Sequence, residues 1–225
     1  MPQLIVAALV WIAIHLGLAG TALRDVVVRR VGDQTFRGLF SVLSIAALIF
    51  LVWAWSASTT TLLWVAPDWL RWILALAMLP ALVLFVASVS GRNPTMIGPG
   101  ETVAQPPRGI IRVTRHPMLW SFAIWGAVHI LGNGDTASVL FFGAFLVTAL
   151  AGMPSIDAKL ARRDLNAWQA LSAATSIVPF VAIAQGRNRF VLNEVGWLNP
   201  AIGLLAWIVI LAAHPWLFGV SPVPM

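Results

Sequence analysis

The chain contains no cysteine. That excludes disulfides, iron–sulfur clusters, thiolate ligation of haem and cysteine-based zinc sites. Charge is scarce as well: Asp, Glu, Lys and Arg make up 10% of the 225 residues, against about a quarter in a soluble domain. Hydrophobic residues make up 60%, and mean hydropathy is +0.88. The apolar runs do not alternate polar and apolar residues as transmembrane β-strands do. There is no internal repeat of fixed period. The first apolar run, 4–23, lacks a basic stretch ahead of it, so it reads as a span and not as a signal peptide.

What is present is a series of apolar runs near the roughly 20 residues needed to cross a bilayer. They predict an all-α, polytopic membrane bundle in a single domain, 1–225, with about six transmembrane helices: 3–23, 38–56, 70–89, 117–132, 136–153 and 197–214. Gly132-Asn133-Gly134 predicts a tight hairpin between the fourth and fifth. Segment 156–174 carries Ile156, Leu160, Leu165, Trp168 and Leu171 with charges between them. It predicts a cytoplasmic amphipathic helix facing anionic lipid. Loop 90–116 contains Asn93-Pro94, Gly98-Pro99-Gly100 and Pro106-Pro107, and is irregular. Such backbone cannot lie exposed in lipid. Trp53, Trp55, Trp64, Trp69 and Trp72 cluster near the outer ends of the second and third spans, as in an aromatic belt.

A net charge of +6 would suggest nucleic acid in a soluble protein. Here its distribution reads as topology, with the lipid bilayer as partner and no nucleic acid. Loop 24–37 carries four basic residues, loop 90–116 four and segment 154–196 five, leaving only Arg71 elsewhere. The positive-inside rule places these three loops in the cytoplasm and both termini on the periplasmic side of a bacterial inner membrane.

The four histidines are His15, His116, His129 and His214. An imidazole in a span is a functional candidate by default, although it can also serve only packing, bonded to a backbone carbonyl. His15 lies nine residues before Arg24, roughly 13 Å above the cytoplasmic edge. His129 lies 14 residues after Arg115, roughly 21 Å above it. His116 sits at the cytoplasmic start of a helix, where it is solvated or caps. His214 lies near the outer end of the last span, where it suits either a ligand or an interface. Two neutral imidazoles at similar depth on different helices suit a b-type haem, so His15 and His129 are the leading candidates for axial ligands. Zinc needs about four ligands, and Asp25, Asp33, Asp157 and Asp164 lie on the cytoplasmic side. Trp120 and Trp125 lie within the fourth span, where they either pack or flank a polyene or porphyrin. Arg115 and His116 either anchor a haem propionate or close the start of the helix.

Several stretches together carry a resemblance: His15-Leu16-Gly17-Leu18-Ala19 with Leu23-Arg24, the run 36–44 (FRGLFSVLS), residues 112–135, Thr175-Ser176-Ile177-Val178-Pro179-Phe180 and Ala213-His214-Pro215. The chain resembles the NnrU family of membrane proteins, which includes plant 15-cis-ζ-carotene isomerases. The resemblance implies a six-span helical membrane protein. For the isomerase branch it implies haem b with axial ligands at His15 and His129. The implied reaction is cis-to-trans isomerisation of the central double bond of 9,15,9′-tri-cis-ζ-carotene, an apolar polyene, with a redox partner for the iron. A second branch implies an accessory role in denitrification, in nitrite and nitric oxide reduction. Arg115-His116-Pro117 followed by Ile177-Val178-Pro179 is also distantly similar to membrane methyltransferases that bind S-adenosylmethionine. The downstream glutamate pair of those enzymes is absent from Ile156-Asp157-Ala158-Lys159-Leu160.

Overall fold

Apolar composition makes long helices here, and glycine, proline and capping side chains decide where each one stops. The computed structural model describes residues 1–91, 93–95 and 105–224. Arg92 and Gly98-Pro99-Gly100, read above as part of a cytoplasmic loop, lie outside the described residues.

Helix α1 (Pro2–Ile12) runs into a π-helical segment, Ala13–Leu18, and then breaks. Helix α2 (Ala22–Val31) leaves at 74°. The expected span over 3–23 is helical as far as Leu18 and then bends. Gly20 permits the bend, since a Cβ there would lie 2.3 Å from the Leu16 carbonyl oxygen. Thr21 caps α2 by accepting from the Leu23 N–H, while its hydroxyl donates to the Gly17 carbonyl. The break frees the carbonyls of Ala19 and Gly20. Lys159 and Ser155, from the helix packed alongside, donate to them at 2.8 Å each, so no freed acceptor is left bare in an apolar setting. Most of the expected loop 24–37 is helical too: after Gly32 (φ +85°), α3 (Asp33–Ser56) begins at once.

Helix α4 is Asp68–Ser90 and α5 is Pro117–Asn133. Proline at the first position of α5 forfeits an N–H that would have had no helical partner. Gly134 ends α5 in the left-handed region (φ +66°), and a Cβ there would sit 2.1 Å from the Trp64 carbonyl oxygen. Asp135 then caps α6 (Thr136–Arg163) by accepting from the Ser138 N–H at 3.0 Å. The hairpin at Gly132-Asn133-Gly134 is as expected. Helix α6 continues through Pro154 well beyond residue 153. Asp164 ends it and caps α7 (Leu165–Ala174), accepting from the Ala167 N–H at 2.9 Å. One amphipathic helix over 156–174 is thus corrected to the tail of α6 plus α7. A carboxylate that can satisfy the next helix's first N–H groups favours a fresh start there over continuation. The chain closes with α8 (Val181–Ala184), α9 (Leu192–Val195) and α10 (Leu198–Phe218).

The helices pack in the order α10, α4, α5, α6, α1, α3. Leu4, Ala7, Leu51, Phe141, Phe142 and Ala144 are buried in a core between α1, α3 and α6. Large apolar side chains cover the outside of α3, α4 and α10, as expected of helices solvated by lipid. By length and composition α3, α4, α6 and α10 can cross a membrane, and the bent pair would make five. The expected six would also need α5, whose 17 residues stand at the lower limit of about 17 for a spanning helix. Trp53, Trp64, Trp69 and Trp72 are exposed like a belt, but Trp55 turns inward, 4.9 Å from Phe141 between ring centres.

On the basic side, Arg112 grips Glu194 of α9 with two nitrogens, at 2.7 and 2.9 Å. The Gly109 N–H donates to the same carboxylate at 2.9 Å. Arg112, with Gly109, holds the Glu194 carboxyl down to about 2. A depressed carboxylate stabilises the fold above its ordinary value of 4.5, and the contribution fades as pH falls from 4.5 towards about 2. The melting temperature of wild type should therefore exceed that of Glu194→Gln by a constant margin above about pH 5, and the margin should close below it. A margin unchanged down to pH 2.5 would refute the assignment.

Candidate functional site

Two groups of polar side chains stand out against the apolar background. The first is at the start of α5. Arg115 and His116 precede the helix-starting Pro117 and are turned inward, with His116 fully buried. Both meet Asp157 of α6. Arg115 Nε lies 3.0 and 3.1 Å from the two carboxylate oxygens, and Nη2 donates at 2.6 Å. His116 Nε2 donates to Oδ1 at 2.8 Å. Arg115 Nη1 donates to the Thr175 carbonyl, and its guanidinium carbon stands 5.1 Å from the centre of the Trp168 ring. His116 Nδ1 finds no hydrogen-bond partner among the described residues. The stretch Thr175-Ser176-Ile177-Val178-Pro179-Phe180 docks on this cluster: Arg115 N–H donates to Ser176, the Thr114 hydroxyl and Trp120 indole to Ile177, and Phe180 N–H to Val113.

The expectation that His116 is solvated or caps is corrected in part: it stands at the N-cap position of α5, but it is buried and its side chain makes no capping bond. A carboxylate one helix away, itself needing cations, draws it inward. Asp157 was read only as a cytoplasmic carboxylate. Its signal was its position, a lone acid near the end of a long apolar helix, where an unpaired charge is expensive. Asp157 and Thr175 engage all three guanidinium nitrogens of Arg115. That argues against the S-adenosylmethionine contact implied by the Arg-His-Pro resemblance, and against a propionate anchor.

The second group lies inside the bundle. His15 sits in the π-helical segment, the kind of irregularity that is frequent at functional sites. Its Nδ1 donates to the Trp11 carbonyl at 2.9 Å. His129 repeats the arrangement on α5, with Nδ1 2.8 Å from the Trp125 carbonyl. His214 on α10 donates from Nδ1 to the Val220 carbonyl at 2.8 Å. Each carbonyl can only accept, so each Nδ1 carries the hydrogen and each Nε2 presents a lone pair. That is the tautomer a metal-ligating histidine needs, with its ring held by a backbone acceptor.

Sequence reasoning paired His15 with His129 by depth. In the structure their rings are joined through others: His15 to Trp11 (4.0 Å between centres), Trp11 to Phe145 (4.7 Å), Phe145 to Trp125 (5.1 Å) and Trp125 to His129 (5.2 Å). The nearest imidazole to His129 is that of His214, at 6.5 Å. The indole N–H of Trp11, beside His15, is buried with no acceptor among the described residues. Among the described residues no cluster of three or more His, Asp or Glu side chains could hold a metal ion.

The family model described as NnrU protein matches residues 3–222. The chain belongs to the NnrU family. It is 26% identical over 190 residues to the protein named 15-cis-zeta-carotene isomerase, chloroplastic, of Arabidopsis thaliana, covering 80% of this chain and 50% of that one. It is 35% identical over 81 residues to the Zea mays protein of the same name, covering 36% of this chain and 22% of that one. The chain spans about half the length of the Arabidopsis relative. No solved structure matches it.

Asp157→Ala would leave Arg115 and His116 buried without their counter-charge. A loss of about 3–5 kcal/mol is expected on breaking a buried pair in this way. Arg37→Ala, which removes a half-exposed partner of Asp33, should cost at most about 1 kcal/mol. Denaturant unfolding in detergent measures both, and equal small losses would show that the cluster does not bear on stability.

Proposed function

We propose that this chain is a membrane isomerase that converts a 15-cis polyene of the ζ-carotene type to its trans form. It would sit in a bacterial inner membrane with both termini outside. The observation that carries this reading is the likeness over 190 residues to a protein named for that reaction. The membrane setting agrees with it, because a hydrocarbon substrate of this kind resides in the bilayer.

The reading includes a haem b held by His15 and His129. The donor chemistry fits: both rings are neutral Nδ1–H tautomers with a free Nε2, and neither has a competing polar partner on that nitrogen. The unpartnered indole N–H of Trp11 would gain an acceptor from a group carrying carboxylates. When bound, such a group would supply reversible coordination to the central double bond, lowering the barrier to its rotation, and a redox partner would set its oxidation state. The chain's own residues perform the remaining tasks. The carbonyls of Trp11 and Trp125 fix the orientation of the two imidazoles. Phe142 and Trp125 wall in His129, at 4.6 and 5.2 Å between ring centres, and exclude water. Arg115 and His116, bound to Asp157, set the cytoplasmic end of α5 and so the height of His129.

The test is the absorption spectrum of detergent-purified protein, oxidised and dithionite-reduced, with a pyridine haemochrome assay. Wild type should show a low-spin b-type spectrum. His129→Ala and His15→Ala should each remove it while leaving membrane insertion intact, and His116→Ala should keep it. Full haem occupancy in His129→Ala would sink the ligand assignment. A colourless wild type from haem-replete cells would remove the cofactor.

A further inference from the structure

The rings between the histidines form a lane that crosses the bundle. It runs from His15 and Trp11 on the first helix, over Phe145 of α6 and Trp125 of α5, to His129 and on to His214 of α10. Every step is between 4.0 and 6.5 Å from ring centre to ring centre. All six side chains are partly exposed, while Phe141, Phe142, Ala7 and Leu51 behind them are buried. Rings that only fill a core are covered on both sides. Each of these packs against its neighbours and keeps part of its surface uncovered.

We propose that this lane is the bed of the polyene, and that Trp125 and Phe145 are its positioning residues. The proposal rests on the isomerase reading and adds where the substrate lies. A linear conjugated hydrocarbon has no polar atom to recognise, so dispersion over a run of flat faces is what a protein can offer it. A row of indole, phenyl and imidazole rings, with Trp125 set edge-on to Phe145 at 85°, supplies that without a charge. The uncovered surface gives a substrate dissolved in the bilayer lateral access, with no passage through water. A polyene along Trp11, Phe145 and Trp125 passes beside both His15 and His129, which ties the bed to the residues assigned to the cofactor. Neither Trp125 nor Phe145 is a catalytic residue; each acts by placing the chain of double bonds.

The experiment uses full-length holoprotein in lipid nanodiscs with 15-cis-ζ-carotene. The polyene is achiral, so circular dichroism in its absorption band reports the fraction held in the protein's asymmetric site. Turnover is followed in the same samples. Wild type should give an induced signal that saturates. Trp125→Leu and Phe145→Leu should each weaken binding and raise KM by about three- to tenfold, as expected for one lost ring face, with the folded protein still recovered and the haem spectrum retained in Phe145→Leu. Trp125→Phe should restore most of the affinity. Phe85→Leu, which removes a ring outside the lane packed on Phe122, should change nothing. Wild-type binding equal to that of both leucine variants overturns the lane and leaves the isomerase reading in place. Binding with the expected losses but no turnover keeps the lane and overturns the isomerase reading. An absent induced signal in wild type means that acyl chains or a second copy cover the lane, and overturns the proposal.

Discussion

The arrangement of the bundle depends on one buried carboxylate. Asp157 near the end of α6 receives Arg115 through two nitrogens and His116 through Nε2. This joins three stretches far apart in sequence: α5 with the residues just before it, the tail of α6, and the segment 175–180 docked beside them. A buried charge pair contributes little net stability compared with apolar packing, but it specifies geometry, because any other arrangement strands a charge. Helices α5 and α6 are thereby fastened at both ends, by the Gly134-Asp135 turn at one and by the Asp157 cluster at the other. Trp125 and His129 of α5 and Phe142 and Phe145 of α6 lie between those two fixed points.

The same economy governs the bent first helix. A break in a membrane helix frees carbonyls that lipid cannot satisfy. Lys159 and Ser155 of α6 supply the two missing donors. The π-helical turn that carries His15 is therefore held from α6, the helix that also carries Asp157 and Phe145. One helix positions both ends of the aromatic lane's central part. Displacing α6 along its axis would disturb His15 through the Lys159 and Ser155 contacts, and His129 through the Asp157 contacts.

What the sequence made legible follows from how local each feature is. Long apolar runs located α4, α5 and α10 to within a few residues, because composition alone selects them. Gly134 and Asp135 announced the α5–α6 hairpin through a residue that tolerates positive φ and one that caps. Asp164 was equally local but was overridden in the reading by the amphipathic period running through it. The π-helical turn at 13–18 has no pattern of its own beyond nearby glycines. The partners of Asp157, the inward turn of His116 and Trp55, and the approach of His214 to His129 are tertiary facts. Depth along each helix put His15 and His129 at comparable heights, yet depth says nothing about rotation around the helix axis. Rotation decides that His129 faces Trp125 and His214 while His15 faces Trp11 and Phe40.

The two polar groups divide the labour in a way that suits chemistry on a hydrocarbon. The Arg115–His116–Asp157 cluster gathers buried charge at the basic end of α5. Above that end the only polar side-chain groups along the lane are imidazoles and indoles, and each imidazole Nδ1 is committed to a carbonyl, two of them on the same helix. What remains exposed to an apolar molecule is aromatic surface and the Nε2 lone pairs. A free carboxylate or guanidinium in the same place would draw water with it and dissolve the selectivity for hydrocarbon. A lane with no lone pairs would bind a polyene and do nothing to it. Under the isomerase reading, the fold's contribution is this separation: charge fixes the helices at one level so that the level above can be apolar, aromatic and reactive at the same time.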